Sequence, residues 1–368
     1  MMGMYESLGI KRIINCWGTV TKIGGSKIDQ EILDAMNEAA AAFVDIGTFH
    51  TKAGERIAEL LGCDAACITS GAAAGLAIAA AACMTKGELS KTLQLPDTTG
   101  MPNEVLVLKS HRIHYDQALL LSGAKLKEVG VTSSANIAQL EAAISDRTVM
   151  FFYVAEAERM RGSIPLSDIV DVLRGHSIPV VVDAAAELPP KSNITKYLEE
   201  GADLVIFSGG KELRGPQSSG LILGDRQLVK YCNANNYPNY SIGRSMKLDK
   251  ETIAGITKAV ELFVRRDYSD IMTQWEGMVS RIVTELSTIS NAAVRRGFPT
   301  EPGVQPVDIP RVYIEPTKTS AQELQTSLTD LDPAIYVDVQ GKEVVINPQC
   351  LEEKEVDVVV RAVTTLLQ

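Results

Sequence analysis

Two residues stand out for the chemistry their types and positions allow. Asp183 closes the apolar run IPVVVD, and Lys211 follows 28 residues later in FSGGKELRGPQ, just past a second apolar run, ADLVIFS. Both runs have the β-branched character of strands buried in a parallel sheet, and in an open sheet of that kind ligands bind beyond the carboxyl ends of the strands. The two side chains are therefore expected at one sheet edge. A loop lysine alone is ordinarily a solvated charge, and a strand-end aspartate alone is ordinarily a turn or a helix cap. Together they set an imine-forming amine beside a carboxylate that wants a cationic partner.

That pair is what pyridoxal 5'-phosphate (PLP) asks for: Lys211 to hold it as a Schiff base, and Asp183 to face the protonated pyridine nitrogen so that the ring remains an electron sink. A phosphate cradle is offered by CITSGAAAGLAIAAA, where Ser70, Gly71 and Ala72 open a helix of small residues whose N–H groups and dipole favour an anion. Close helix–sheet packing asks for the same small residues. Ser208 can add a hydroxyl to the phosphate, and the glycines that follow it let the backbone approach a cofactor closely. His111 and His114, in VLKSHRIHYDQALL, come after another strand end, where either ring can stack on the cofactor or move a proton; an ordinary polar loop histidine is the alternative. With no third ligand beside them, zinc is not expected.

These residues need a sheet to bring them together, and the sequence supplies one. Between residues 51 and 248, seven short apolar runs (AACIT, EVLVL, KLKEVG, TVMFFYV, IPVVVD, ADLVIFS and SGLILG) alternate with amphipathic segments, the signal of an α/β domain with a mostly parallel seven-stranded sheet. Residues 1–50 are expected to pack on this large domain and at a dimer interface. Residues 249–296 read as a long helical connection, and residues 297–368, with DIPRVYIEP, AIYVDVQ, KEVVINP and a closing helix, as a small α+β domain.

Composition narrows the function class. The 368 residues carry a net charge of −10 with the basic residues dispersed, which disfavours a nucleic-acid partner. Six cysteines show no CxxC pair and read as buried structural thiols. There is no signal peptide pattern, and the most apolar stretch, GAAAGLAIAAAACM, is too short to span a membrane, so a cytoplasmic location is expected.

The segments INCWGTVTKIGGS, FHTKAGERIAELLGCDAACITSGAAAGLAIAAAACM, SGAKLKEVG, IPVVVDAAAELPP, GADLVIFSGGKELRGPQSSGLILG and GRSMKLDKETI cover most of residues 11–260. In them the chain resembles fold-type I PLP enzymes of the selenocysteine synthase branch, and within it the shorter relatives that include ammonia-lyases acting on D-glucosaminate 6-phosphate. The resemblance implies Lys211 as the Schiff-base lysine, Asp183 as the ring-nitrogen partner, Ser70, Gly71, Ala72 and Ser208 as the phosphate cradle, and His111 as the ring-stacking residue. It also implies a homodimer or higher homo-oligomer with active sites built across the interface, to which Asn15, Thr19, Thr48 or Arg244 contribute from either subunit. The early start of the INCWGTV segment and the acidic charge set the chain apart from selenocysteine synthase and point to a free small-molecule substrate.

The expected reaction is α,β-elimination from a 2-amino-3-hydroxy acid such as an aminosugar acid, possibly phosphorylated, to a 2-oxo acid and ammonia. Lys211 is the expected α-base. His114, Tyr115 or Lys211 itself is the general acid, and Arg244 or Arg311 the clamp for the substrate carboxylate, with Thr19 a further substrate contact. Retro-aldol cleavage, racemisation, transamination and β-replacement use the same lysine. Binding of PLP without turnover and transfer to seryl-tRNA are the readings from other classes.

Overall fold

The computed structural model describes residues 3–301 and 303–368, and the chain forms two compact units: residues 28–266, and residues 1–27 together with 267–368. The described residues contain twelve strands. They are β1 (Ile13–Cys16), β2 (Ala65–Thr69), β3 (Glu104–Leu108), β4 (Lys125–Val129), β5 (Thr148–Val154), β6 (Val180–Asp183), β7 (Leu204–Ser208) and β8 (Gly220–Gly224). The remaining four are β9 (Ala292–Gly297), β10 (Arg311–Pro316), β11 (Ala334–Gln340) and β12 (Glu343–Ile346).

In the larger unit each of the seven apolar runs becomes a strand of one sheet, in the order β2-β8-β7-β6-β5-β3-β4. All pairings are parallel except the two made by β8. The central strands are covered on both faces: Val105 to Leu108, Met150 to Tyr153, Val181, Val182 and Leu204 to Phe207 are all fully buried. That double burial is why these runs are continuously apolar rather than alternating.

The helix α1 (Ala72–Thr85) follows β2 and is buried around its whole circumference from Gly75 to Thr85. Alanine suits it twice, as the best helix former and as a side chain small enough for a helix to lie close on a sheet. At Gly75 an added Cβ would already stand 3.0 Å from Ile206.

Two boundaries differ from the sequence reading. The expected long connection is two helices, α2 (Lys250–Arg265) in the larger unit and α3 (Tyr268–Leu286) in the smaller. The apolar spacing runs through the break, but Asp267 caps α3 by accepting the Ser269 N–H at 2.8 Å, and a residue with extended cap geometry cannot also continue the preceding helix. The N-terminal residues, expected on the large domain, divide at Lys27: β1 pairs in parallel with β11, Ile13 opposite Ala334, in a five-stranded sheet ordered β1-β11-β12-β10-β9. Four residues of IINC were too short a run to announce a strand. Among the described residues no helix is long and apolar enough to cross a membrane.

Where β8 passes the start of α1 the backbones nearly touch: a Cβ on Gly220 would stand 2.6 Å from Gly71 C and 2.8 Å from Ala72 N. Gly220→Ala is expected to destabilise the protein by about 1–3 kcal/mol, because backbone on both sides must move. Denaturant unfolding checks it; a midpoint equal to wild type would show that the two segments separate freely.

Candidate functional site

Strands β6 and β7 pair with Asp183 opposite Ile206, so the chain leaving β7 through Ser208 passes the edge where Asp183 ends β6. It then enters a loop that closes on itself. Gly209 donates its N–H to Ser219 O at 2.8 Å, Gly215 donates to Gly209 O at 2.8 Å, and Arg214, in the left-handed region at φ 58°, donates to Lys211 O at 2.9 Å. The two glycines have a different reason from the one expected. A Cβ on Gly209 would meet Ser219 Oγ at 2.1 Å and one on Gly210 would meet Gln217 Cα at 2.7 Å, so both are required by the loop's own packing.

This loop holds Lys211 part-buried, its Nζ without a hydrogen bond or ion pair to any described residue. Burial lowers its amine from the usual lysine range, while the acidic charges of Asp183, Glu156 and Glu187 pull the other way. Asp183 is the first of these, its Oδ1 accepting the Ala185 N–H at 3.0 Å. Burial raises its carboxyl, and the Ala185 N–H and Lys211 only offset part of that. An aspartate raised by burial and offset by one backbone N–H and then by one amine is a carboxylate that a further cation would suit.

Glu156 and Glu187 were not singled out from sequence. Glu156 lies in the turn after β5, and β5 pairs with β6 so that Val154 stands opposite Asp183. Glu187 lies in the turn after β6, 8% exposed, with Oε2 accepting from the Tyr197 hydroxyl at 3.4 Å. Burial, then the negative charge of Glu156, push Glu187 up to about 7; burial and Asp183 raise Glu156. The signal was present: both glutamates follow buried strands, as Asp183 does. Lys211 thus faces three acidic groups, not one.

The opposite charge preference exists at the start of α1. Gly71, at φ 135° and ψ 163°, occupies backbone space open essentially to glycine alone, and no side chain caps the helix. Ser70 and Ala72 are part-buried, Ala73 is exposed, and the hydroxyls of Ser70 and Ser208 bond to no other described residue. First-turn N–H groups left without a side-chain acceptor fit an anionic group such as a phosphate.

The two histidines part company. His111 is fully buried, its Nδ1 accepting the Val154 N–H at 3.2 Å and its Nε2 2.8 Å from Ser163 Oγ, with the Tyr153 ring edge-on at 4.6 Å between centroids. A backbone N–H on Nδ1 requires the proton on Nε2, which therefore donates to Ser163. Both nitrogens being engaged, this ring is fixed in place rather than free to carry protons. His114 and Tyr115 are exposed.

Other expected contributors have partners of their own. Asn15 closes its own turn, donating to Gly18 O at 2.9 Å and accepting the Trp17 and Gly18 N–H groups. Thr19 is part-buried beside that turn, and the exposed Thr48 donates its N–H to the α-helix cap Asp45. Arg244 is exposed over the Tyr237 ring at 5.4 Å. Arg311 is 3% exposed in the smaller unit; its Nη2 donates to the carbonyls of Gln305 and Pro306, and its Nε has no partner among the described residues. A cavity of about 750 Å³ lined by Lys86, Asp146, Arg174 and Asp203 lies at the other, amino edge of the large sheet and includes none of these residues.

The arrangement fits PLP. An amine without an ion-pair partner among the described residues, a part-buried carboxyl and an uncapped helix start stand at one sheet edge, where they could serve as imine former, ring-nitrogen partner and phosphate cradle. Among the described residues no group of His, Cys, Asp and Glu could hold a metal ion.

Comparison with known proteins agrees. Residues 13–352 match the family model described as SelA: L-seryl-tRNA selenium transferase. A D-glucosaminate-6-phosphate ammonia lyase of Salmonella typhimurium is 36% identical over 263 residues, 70% of this chain and 69% of the relative. A 5'-C-glycyluridine monooxygenase-decarboxylase of a Streptomyces species is 33% identical over 299 residues, 79% of this chain and 70% of that one. A solved structure of D-glucosaminate-6-phosphate ammonia-lyase superposes with a TM-score of 0.86 at 28% identity, covering 99% of both chains.

Burial holds the His111 imidazole down to about 4. In the unfolded chain the ring takes up a proton near its ordinary value, so folding is opposed as pH falls from about 6.5 toward 4, by up to roughly 3 kcal/mol. Nitrogen NMR of labelled histidine is expected to show a neutral ring protonated on Nε2 at pH 6 and above; a ring that titrates near 6.5 would contradict this environment.

Proposed function

The chain belongs to the L-seryl-tRNA selenium transferase (SelA) family of PLP-dependent enzymes, with the fold-type I architecture, and on that premise we propose that it is an ammonia-lyase acting on an aminosugar acid. Its substrate is a 2-amino-3-hydroxy acid of the D-glucosaminate 6-phosphate type, converted to a 2-oxo acid and ammonia. The observation that carries this reading is Lys211, a part-buried amine with no ion-pair partner among the described residues, one strand over from Asp183. The ammonia-lyase named among the relatives supplies the substrate class.

In this reading Lys211 would hold PLP, Asp183 would stand toward its ring nitrogen, and Ser70, Gly71, Ala72 and Ser208 would take the phosphate. When bound, PLP supplies the electron sink that makes a hydrogen on the substrate α-carbon acidic. The chain's part is then proton handling and orientation. Lys211 Nζ takes the α-proton, a role suited to an amine that burial has brought down from the usual lysine range. His111, fully buried and locked by Val154 and Ser163, braces the end of β5 and has no open ring face, so the stacking role expected for it is not part of this reading.

Lys211→Ala is expected to remove the lysine that borohydride fixes to PLP and to slow ammonia release from D-glucosaminate 6-phosphate by about 10²–10⁴-fold. Peptide mapping after reduction and a coupled assay for ammonia and 2-oxo acid measure the two. Fixation at another lysine refutes the assignment. Aldehyde without ammonia would replace the lyase by an aldolase, oxygen uptake with carbon dioxide release by the chemistry named for the Streptomyces relative, and salt-sensitive retention of tRNA by a transferase.

A further inference from the structure

Elimination of a β-hydroxyl needs a proton donor as well as a base, and the residues considered from sequence for that task do not suit it. His114 and Tyr115 are exposed beyond β3, which stands two strands from β6. His111 has both ring nitrogens engaged. Lys211 is the base.

Glu187 is built differently. Its backbone is pinned on both sides, its N–H donating to Ala184 O at 3.2 Å and its carbonyl accepting from Asn193 Nδ2 at 2.7 Å. Its side chain is buried in the turn directly after Asp183, on the strand next to the one that delivers Lys211. The groups that face it are Glu156 from the turn after β5, Tyr197 and Lys196 from the helix Asn193–Glu199, and Asp183; Lys211 in turn feels Glu187. Three acids against one amine cannot all be ionised cheaply in a buried site, and burial with the Glu156 charge leaves Glu187 the group that keeps a proton near neutrality.

Resting on the lyase reading above, we propose that Glu187 is the general acid that protonates the departing β-hydroxyl, with Glu156 as its positioning and charge-setting neighbour. The protons balance. The α-carbon gives one to Lys211 Nζ, Glu187 gives one to the hydroxyl as the Cβ–O bond breaks, and water leaves. Lys211 then returns its proton to the Glu187 carboxylate, and no oxidant or reductant is consumed.

The test separates the two halves of this transfer. With D-glucosaminate 6-phosphate tritiated at the α-carbon, Glu187→Gln is expected to release tritium at a rate within about threefold of wild type while ammonia release falls at least ~10²-fold. The wild-type kcat is expected to decline as pH rises through about 7, where Glu187 loses its proton, and Glu156→Gln to move that decline to lower pH. In the substrate-free protein, infrared difference spectra between wild type and Glu187→Gln are expected to show a protonated carboxyl band that titrates over the same range.

Ammonia release by Glu187→Gln within about threefold of wild type would overturn the proposal. So would loss of tritium release together with ammonia, because Glu187 would then be positioning Lys211 instead of donating. An infrared band absent at neutral pH, or a pH limb unmoved by Glu156→Gln, counts against it even if Glu187→Gln folds poorly. If the wild type releases neither tritium nor ammonia, the substrate reading fails first and the inference with it.

Discussion

The amine of Lys211 is the constraint on which the site depends. Removing an ammonium from water costs far more than a loop can recover unless acidic groups face it or its proton is given up, and here both forces act at once. Burial draws the amine toward neutrality while Asp183, Glu156 and Glu187 draw it toward charge. An amine balanced in that way can be nucleophile and base near neutral pH, which a solvated lysine cannot. The loop that imposes the balance is correspondingly rigid: Gly209 and Gly210 are there because Ser219 and Gln217 occupy the space their side chains would need.

The same balance explains why the three acids and the amine come from three successive strand ends. Parallel strands β5, β6 and β7 bring Glu156, Asp183 with Glu187, and Lys211 to one edge, and their dihedrals are set by buried valines, phenylalanines and isoleucines with no role in chemistry. The anion-seeking end of α1 is attached to the same sheet through β2 and held close by Gly220 on β8. Positive and negative preferences are thereby fixed by backbone pairings rather than by flexible side chains, which is the preorganisation a bound cofactor needs.

Much of this was legible in the sequence because the sheet is buried on both faces. Continuous apolar runs gave the central strands, the edge strand β4 came from the more polar KLKEVG, and a strand-end rule placed Asp183 and Lys211. The same strand-end pattern extends to TVMFFYVAEAE and VVVDAAAELPP, which carry Glu156 and Glu187 within a few residues of strand ends. What could not be read was anything decided by three-dimensional neighbours: that Asn15 spends its amide on its own turn, that IINC pairs with a strand over 300 residues away, and that His111 rather than His114 is enclosed.

The glycines show how a functional residue type can mislead. In SGGK they suggest space for a cofactor, yet the loop fills that space itself; the glycine whose conformation matters for an anion is Gly71, whose missing Cβ would meet nothing within 4 Å. A side chain there would fit sterically but not conformationally, because φ 135° with ψ 163° turns the first N–H groups of α1 outward only if the residue is glycine. Open space over an uncapped helix start, at the edge where a buried amine faces a surplus of acid, is a site whose two ends prefer opposite charges. A dianionic phosphate joined to a protonated ring satisfies both ends with one molecule, and that complementarity, more than any single residue, is why the geometry and the family agree.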